Sequence, residues 1–432
     1  MKTSARLWAC ILILGLLTFA STAVFGEEST REIIDKSNWE KVEGLVPDCL
    51  LEWVKTGDFI MQVGELEFEP YEWWPDFGLE SRKNNVGKYE LNEDNEIIDV
   101  ATGKMATFWL GFPFPKIEPD DPKIAIKTVY NKQYMNAILG PKRFETTVSW
   151  LGAGGWERDV FLLYRDIYML GCPAVEKLKN PKNMQRYSII SVRKPFDMAG
   201  TSIMTWRFLS SKQDMSYAYV PAIRRVRRTS PANRSDSLFG SDVTLDDILA
   251  YDGKIPAFEW KLIEKKEGLV PFVSDKIQRC ERIGDGEIMM SKNMKASRYG
   301  FHDKEWQGAP WCPLDIAYVK RPVWIFEGKS KDPYYNYGTQ YIWTDGRADT
   351  PYYKIAHDRA GKFWKLIMVI NAGFETEDKT FRIIDFMDHV AIDVKRGHAS
   401  YIKNFNPDTE FVWYANLDMN DFTLAGFQKY CK

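Results

Sequence analysis

Histidine is scarce in this chain, and the sequence lacks the common catalytic and metal-binding motifs. The four histidines are not spaced as a set of metal ligands, and no H-E-x-x-H run occurs. There is no C-x-x-C pair and no G-x-S-x-G elbow. The glycine-rich run 152–155 lacks the Lys and Ser/Thr of a phosphate loop, so it is interpreted as a turn. We therefore predict no catalytic residue, cofactor or metal ion, and whether the chain is an enzyme stays open.

An excess of charge of either sign is also missing. The chain has 58 Lys and Arg against 60 Asp and Glu, a net charge of −2 over 432 residues. This balance provides no bulk attraction for nucleic acid or for an anionic membrane, and no nucleic-acid partner is expected. Aromatic residues, at 14%, are plentiful and favour β-sheet surfaces and apolar grooves.

A long apolar run occurs only at the N-terminus. Two basic residues precede the run 8–20, and small residues allow cleavage after Ala23 or Gly26. The run is too short to span a bilayer, so residues 1–26 are predicted as a cleaved signal peptide, with an uncleaved anchor as the alternative. We expect an exported protein of the periplasm, either free there or associated with the outer membrane.

Five cysteines remain after the predicted cleavage, an odd number with wide spacing. They are Cys49, Cys172, Cys280, Cys312 and Cys431. One or two disulfides would suit an oxidising compartment, and buried free thiols are the alternative. The sequence does not decide between them.

Helices and loops dominate the chain up to about residue 150. Helices are expected at 39–46, at 48–55, and from Asp121-Pro122 to Leu139, where Asp121 would be the N-cap and Gly140 follows the end. Beyond this part, apolar residues alternate with polar ones in short runs separated by turns. The clearest runs are 204–208, 258–262, 323–329, 337–344, 352–356 and 362–370. With no internal repeat, this pattern predicts a mainly β (α+β) fold in which residues 27–432 form a single domain around one large antiparallel sheet.

The most distinctive stretch runs from Tyr217 to Arg228. Read as one strand, it places apolar residues on both faces at its start and Arg224, Arg225, Arg227 and Arg228 at its end. A strand with this pattern leaves an apolar interior and reaches a rim. Because a guanidinium group can hold a carboxylate or phosphate in a fork, the arginines would suit the polar head of an amphipathic ligand.

Two other interpretations of the arginines stay open. Acidic residues follow that would neutralise them, namely Asp236, Asp242, Asp246 and Asp247. Residues 244–247 also have the form of a capping box for a short helix that ends near Gly253. Docking of a partner protein is the third alternative.

The same stretch carries a family resemblance. The matching segments are 219–228, Asn233-Arg234-Ser235-Asp236, Gly240-Ser241-Asp242 and Tyr251-Asp252-Gly253-Lys254, with 111–115 before them and Trp343 and Tyr352-Tyr353 after them. They resemble an exported bacterial family called domain of unknown function 1329, which is similar to LolA/LolB-like lipoprotein-sorting proteins of the outer membrane. The resemblance implies an unclosed barrel with helices on its concave side around an apolar cavity. It also suggests a nearby exporter of the resistance-nodulation-division type, and it carries no catalytic residues.

These observations lead us to expect a periplasmic carrier or chaperone for a lipid or other hydrophobic ligand, serving an exporter or the outer membrane. The predicted cavity lining is Trp206, Tyr217, Tyr219 and Trp260. The predicted head-group ligands are Arg224, Arg225, Arg227 and Arg228. The alternatives are a periplasmic hydrolase of glycan or lipid, which needs a carboxylate pair or a His–carboxylate pair in a cleft, and an accessory subunit that docks on an exporter.

His389 is the histidine with the most suggestive surroundings. On a strand it would share a face with Asp385 and Asp393, which would place it between two carboxylates. A hydrogen-bonded histidine in the core or at the surface is the other interpretation.

Overall fold

The computed structural model describes residues 31–432, and the predicted signal peptide lies outside them. The α-helices of this part are α1 (Asp48–Thr56), α2 (Asp76–Asn84), α3 (Ile124–Ile138) and α4 (Leu424–Phe427). The first ten strands are β1 (Glu32–Ile34), β2 (Met61–Gly64), β3 (Tyr89–Leu91), β4 (Ile97–Asp99), β5 (Lys142–Gly152), β6 (Gly155–Tyr168), β7 (Met184–Lys194), β8 (Ser202–Phe208), β9 (Met215–Val220) and β10 (Arg225–Thr229). The others are β11 (Phe258–Phe272), β12 (Gln278–Arg282), β13 (Ile288–Met290), β14 (Ala317–Ser330), β15 (Thr339–Asp345), β16 (Pro351–His357), β17 (Phe363–Thr376), β18 (Arg382–Asp393), β19 (His398–Lys403) and β20 (Phe411–Trp413).

Most strands join one long antiparallel ladder. Its order is β10-β9-β8-β7-β6-β5-β19-β18-β17-β16-β15-β14-β11, and every neighbouring pair is antiparallel. Short parallel pairings, such as β2 with β14 and β12 with β17, make the complete sheet mixed. Within the described residues β10 pairs only with β9, so the ladder is open at that edge. The predicted mainly β fold with one large unclosed sheet is confirmed.

Helix α3 lies in the interior of the fold. All of its residues are buried, and it packs against β6 and β11, which belong to different parts of the ladder. The predicted end before Gly140 is confirmed, since this glycine has a φ of +71°. The predicted start is wrong by a few residues: Lys123 is the N-cap, and the Asp121 carboxylate accepts a hydrogen bond of 2.7 Å from the Lys123 backbone N–H.

Of the two helices predicted before α3, one is confirmed and the other is not. The segment predicted as a helix at 39–46 forms only a short 3-10 turn, Trp39–Val42. The next helix is confirmed as α1, and Gly57 ends it in the left-handed conformation with a φ of +85°. None of the helices between residues 31 and 432 is long and apolar enough to cross a bilayer.

The stretch from Tyr217 to Arg228 is a β-hairpin and not the single strand that the sequence predicted. Strands β9 and β10 pair with Val220 opposite Arg225 and Tyr217 opposite Arg228. The chain reverses over residues 221–224, where Pro221 restricts the backbone and Arg224 adopts a φ of +55°. The predicted division of side chains between two faces is therefore wrong beyond Val220.

The two faces of the sheet have different covers. We call the face covered by α3 and by residues 230–257 the inner face, and the opposite one the outer face. Arg207 on β8 bonds to residue Asp252 on the inner side, so its neighbour Trp206 lies on the outer face. Because residues opposite each other in register share a face, Tyr217 and Arg228 are also outer, whereas Arg227 is inner.

The cysteines of the described residues are free thiols. Four are buried and Cys49 is partly buried, which favours the buried-thiol interpretation. Burial raises the pKa of the Cys49 and Cys172 thiols to about 12. These thiols are therefore protonated at neutral pH and poorly reactive.

A buried carboxyl group gives the fold a testable pH dependence. Burial raises the pKa of Asp388 from 3.8 to about 6, even though the Tyr299 hydroxyl lies 3.4 Å from its Oδ2. A raised carboxyl pKa stabilises the fold below about pH 4, and this contribution is lost as the pH rises through 6. Asp388→Asn should therefore increase the free energy of unfolding at pH 7 by about 1–3 kcal/mol and have little effect near pH 4, as measured by urea denaturation at the two pH values.

Candidate functional site

Residues 230–257, which we call the strap, cross the inner face between the two halves of the ladder. On one side, Arg186 of β7 and Arg207 of β8 reach Asp252, with the Arg207 Nη2 donating to the Asp252 backbone oxygen at 2.7 Å. From the other half, side chains of four successive strands hold the middle of the strap. These are Lys354 of β16, Lys365 of β17, His389 of β18 and Ser400 of β19. The strap is thus fixed across the ladder by buried polar contacts.

Three guanidinium groups surround Asp252 in this network. Arg186 approaches its carboxylate at 2.7 Å, Arg207 at 3.2 Å and Arg234 at 3.6 Å, and all four side chains are buried. Burial acts to raise the pKa of Asp252, but the three guanidinium groups outweigh it and hold this pKa at about 2. Each arginine also has its own carboxylate, in the pairs Arg186–Asp166, Arg207–Asp214 and Arg234–Asp246.

The strap carboxylates therefore do not neutralise the hairpin arginines. Asp246 pairs with Arg234, Asp247 with Lys354 and Asp242 with Arg396. Asp236 accepts hydrogen bonds from Asn233 and Asn336. The predicted salt-bridge interpretation is wrong in its partners, because the arginines lie on a separate hairpin while the acidic residues turn inward. The capping contact is present, since the Asp247 Oδ2 accepts from the Thr244 N–H at 2.8 Å, but the helix it begins is a single 3-10 turn, Leu245–Asp247.

Histidines in this region serve the fold. Burial lowers the pKa of His389 to about 4, and its Nε2 contacts the Asp247 backbone oxygen at 3.0 Å, which confirms the interpretation as a hydrogen-bonded core residue. His398 lies between carboxylates, with Nδ1 at 2.5 Å from Asp242 and Nε2 at 3.3 Å from Glu157. It is buried, and Asp242 also holds the strap, so this pair does not present the open cleft that a hydrolase requires.

One cavity on the inner face is small. It lies between the strap and strands β5, β6 and β7, and its volume is about 60 Å³. Apolar side chains such as Phe144, Leu162 and Phe239 line most of it, and Arg186 and Asp252 border one end. A cavity of this volume has room for a few water molecules and not for an acyl chain.

A larger depression lies on the outer face. This depression, which we call the Trp206 groove, has a volume of about 720 Å³. Its apolar lining includes Tyr187, Trp206, Phe208, Met215, Phe422 and Leu424. The Trp206 Nε1 donates to the Phe422 backbone oxygen at 2.9 Å, so the C-terminal segment forms one wall of the groove. The polar part of this indole is therefore satisfied, and its ring surface is left for contact.

Two lysines border the groove. The Lys182 Nζ lies 5.7 Å from the centre of the Trp206 ring, and the Lys212 Nζ lies 4.1 Å from that of Phe208. Neither amine forms a salt bridge with a carboxylate of residues 31–432, and both side chains reach solvent. The groove thus combines an aromatic floor with two cationic groups at its border.

The structure brings together some of the predicted site residues and separates others. The rings of Trp206 and Tyr217 pack edge to face with centroids 5.1 Å apart, and Tyr219 lies on the same outer face. Trp260 packs elsewhere: its ring contacts Tyr251, and its Nε1 donates to the Ile255 backbone oxygen at 2.9 Å, so it lies with the strap on the inner face. The structure therefore does not bring Trp260 into one lining with Trp206, which lies on the outer face.

The four predicted arginines are all exposed but do not form one cluster. Arg224 lies in the turn, Arg225 and Arg227 point to the inner side, and Arg228 shares the outer face with Tyr217. The sequence interpretation missed Tyr187, Lys182, Lys212 and Phe422. No local pattern indicates them, because they come from strand β7, two loops and a C-terminal segment more than 200 residues away.

A family model described as a protein of unknown function (DUF1329) matches residues 33–427. The chain belongs to this family. No curated protein matches the sequence significantly.

Three solved structures are similar to this DUF1329 protein at low sequence identity. A putative outer membrane lipoprotein-sorting protein domain from Vibrio parahaemolyticus is 14% identical, with a TM-score of 0.47 over 71% of this chain and 98% of that one. A DUF1329 family protein from Desulfovibrio piger is 14% identical, with a TM-score of 0.46 over 69% and 96%. A LolA superfamily protein from Nitrosomonas europaea is 12% identical, with a TM-score of 0.40 over 70% and 99%.

Three of the segments that carry the family resemblance have a common structural role in this DUF1329 protein. Arg234, Asp242 and Asp252 come from these segments, and all three are buried anchors of the strap. Lys254 is a fourth anchor, since its Nζ donates to the Phe208 backbone oxygen. This part of the signature therefore fixes the strap to the sheet.

Proposed function

We propose that this DUF1329 protein is a periplasmic carrier that binds an amphipathic, anionic lipid or a similar hydrophobic ligand in the Trp206 groove. The observation that carries the proposal is the size and lining of the groove. Its volume of about 720 Å³ lies within the range of about 300–1,000 Å³ that small-molecule sites occupy. The inner cavity of about 60 Å³ is too small for this role.

The lining supports an apolar ligand chain. Tyr187 and Phe422 pack with ring centroids 5.8 Å apart, and Trp206 packs at right angles to Tyr187 at 6.4 Å. Burying a large side chain against a ligand contributes about 1.5–3 kcal/mol. Several such contacts would hold an acyl chain, and Met215 and Met419 would adapt to its shape.

The lysines support an anionic head group. Lys182 and Lys212 have no carboxylate partner among the described residues, so their charges are free to meet a carboxylate or a phosphate. Arg228 shares the outer face with Tyr217 and would add a third cationic group. Arg224, Arg225 and Arg227 lie elsewhere on the hairpin, and an exporter as partner stays a prediction.

Binding of a dansyl-labelled fatty acid tests the proposal directly. Trp206→Ala should weaken its affinity by about tenfold to a hundredfold, because a large ring is removed from the floor of the groove. Leu424→Asp changes an exposed position of the same groove and should weaken binding as well. Trp156→Ala is the matched control, since Trp156 is 55% exposed and lies on β6 at the strand ends opposite to the groove.

A second experiment tests whether Lys182 and Lys212 bind the anionic head group. Lys182→Gln combined with Lys212→Gln should weaken binding of the labelled fatty acid but not of the corresponding uncharged alcohol. Unfolding curves of each variant show whether the fold is intact. Equal affinities of the wild-type protein, Trp206→Ala and Leu424→Asp would overturn the proposal.

A further inference from the structure

Several connections between strands lie at the strand ends that face away from the Trp206 groove. In an antiparallel meander, alternate connections lie at the same end of the sheet. Here Ala399 pairs with Leu151, so the β18–β19 connection lies beside the β5–β6 turn. The β7–β8 and β9–β10 connections follow at the same end of the neighbouring strands, and we call the four connections 153–154, 195–201, 221–224 and 394–397 the positive rim.

Exposed apolar side chains concentrate at the positive rim. Of the eleven large hydrophobic residues that are exposed in the described part of the chain, five lie in these connections or within two residues of them. They are Trp156, Phe196, Val220, Ile223 and Val394. Phe196 is 99% exposed, so its side chain does not contribute to the core. Such a concentration at one end indicates a contact surface.

Positive charge concentrates there as well. With two flanking residues on each side, the four connections contain six Lys and Arg against two Asp, a net charge of +4 in a chain whose total is −2. Two of the six form ion pairs with carboxylates, namely Lys395 and Arg396. Arg227 and Arg228 follow directly after one connection and add two further exposed charges. The near-neutral composition therefore conceals a strongly polarised surface.

The hairpin of β9 and β10 shows how this surface would meet its partner. Its tip exposes Val220 and Ile223, and its arginines surround the tip on both faces of the strands. A peptide added along the edge of β10 would leave one set of arginines unused, and a second copy of the edge would bring like charges together. Contact between the hairpin tip and a partner surface would involve the arginines of both faces.

We propose that the positive rim docks on the anionic surface of a lipid bilayer. An aromatic side chain such as that of Trp156 suits the interface between head groups and acyl chains. Each basic residue near an anionic surface contributes about fivefold in affinity, and exposed apolar side chains add to this. The proposal does not rest on the Trp206 groove, which is bordered by connections at the opposite end of β7 and β8.

Sedimentation of the purified protein with vesicles tests this inference. Vesicles of phosphatidylcholine and phosphatidylglycerol in equal parts should bind the protein, and vesicles of phosphatidylcholine alone should bind it much more weakly. Arg225→Glu with Arg227→Glu should reduce binding to the anionic vesicles by about thirtyfold or more. Phe196→Ser should reduce it about tenfold, without affecting the core.

The control is an equal change of charge at the opposite ends of the strands. Lys177→Glu with Lys179→Glu alters two exposed residues of the β6–β7 connection and should leave vesicle binding near the wild-type value. Trp206→Ala should also bind the vesicles normally, and this result distinguishes membrane docking from ligand binding in the groove. Equal losses in the two charge-reversal variants, or no preference of the wild-type protein for anionic vesicles, would overturn it in favour of an acidic protein partner.

Discussion

Replacing Asp252 with Asn should lower the free energy of unfolding by about 3–5 kcal/mol. The carboxylate of Asp252 lies among Arg186, Arg207 and Arg234, and all four side chains are buried. Without its charge, three guanidinium groups remain in the interior with insufficient negative charge to balance them. Urea denaturation at pH 7, followed by circular dichroism, measures the loss.

The matched control for this prediction is Asp236→Asn. Asp236 also belongs to the strap, but it is exposed and its partners are the amide groups of Asn233 and Asn336. Its replacement should change the free energy of unfolding by less than about 1 kcal/mol. If the two variants were equally stable, the strap would not depend on the buried network.

The same network predicts the behaviour of the protein in acid. The folded-state pKa of Asp252 is about 2, below its ordinary value of 3.8. A lowered carboxyl pKa stabilises the fold above about pH 4, and this contribution is lost as the pH falls towards 2. Asp252→Asn should therefore remove this component of the acid transition.

The second large effect concerns the other half of the strap. Lys354 and Asp247 form a fully buried ion pair of 2.7 Å, and burial lowers the pKa of Lys354. Lys354→Met leaves the Asp247 carboxylate without its nearby cation and should cost about 3–5 kcal/mol. Adding Asp247→Asn to Lys354→Met should recover part of this loss, with a coupling energy of about 1–3 kcal/mol between the two changes.

A double-mutant cycle from urea denaturation curves gives this coupling. The hydrogen bonds that Asp247 accepts from Thr244 and Tyr337 can be retained by the amide oxygen of the Asn side chain. Strictly additive losses would contradict the assignment of Lys354–Asp247 as an interacting pair that holds the strap.

The periodicity of the sequence was sufficient to predict one large antiparallel sheet, but not the order of its strands. Alternating runs such as 204–208 and 323–329 correspond to β8 and β14, because one face of each strand is buried in a characteristic pattern. The hairpin was misread because Tyr217 to Arg228 contains no Gly, Asn or Asp, the residues that usually mark a tight turn. Its turn depends on Pro221 and on a left-handed Arg224, a conformation that arginine rarely adopts.

The candidate sites were only partly predictable, for a physical reason. Trp206 and Tyr217 could be placed on neighbouring strands, but the wall formed by Phe422 depends on how the C-terminal segment packs on the sheet. The positive rim was hidden by the net charge, since charges separated along the chain meet only when alternate connections lie at one end. The inward orientation of Asp246 and Asp247 likewise depends on Arg234 and Lys354, whose contact with the strap has no local signal.

Native mass spectrometry of the protein purified from a periplasmic extract, followed by organic extraction, tests the carrier proposal most directly. The account predicts an amphipathic lipid bound to the wild-type protein and to Trp156→Ala, and a bare polypeptide mass for Trp206→Ala. The same bare mass for all three proteins, with no extractable lipid, would contradict it.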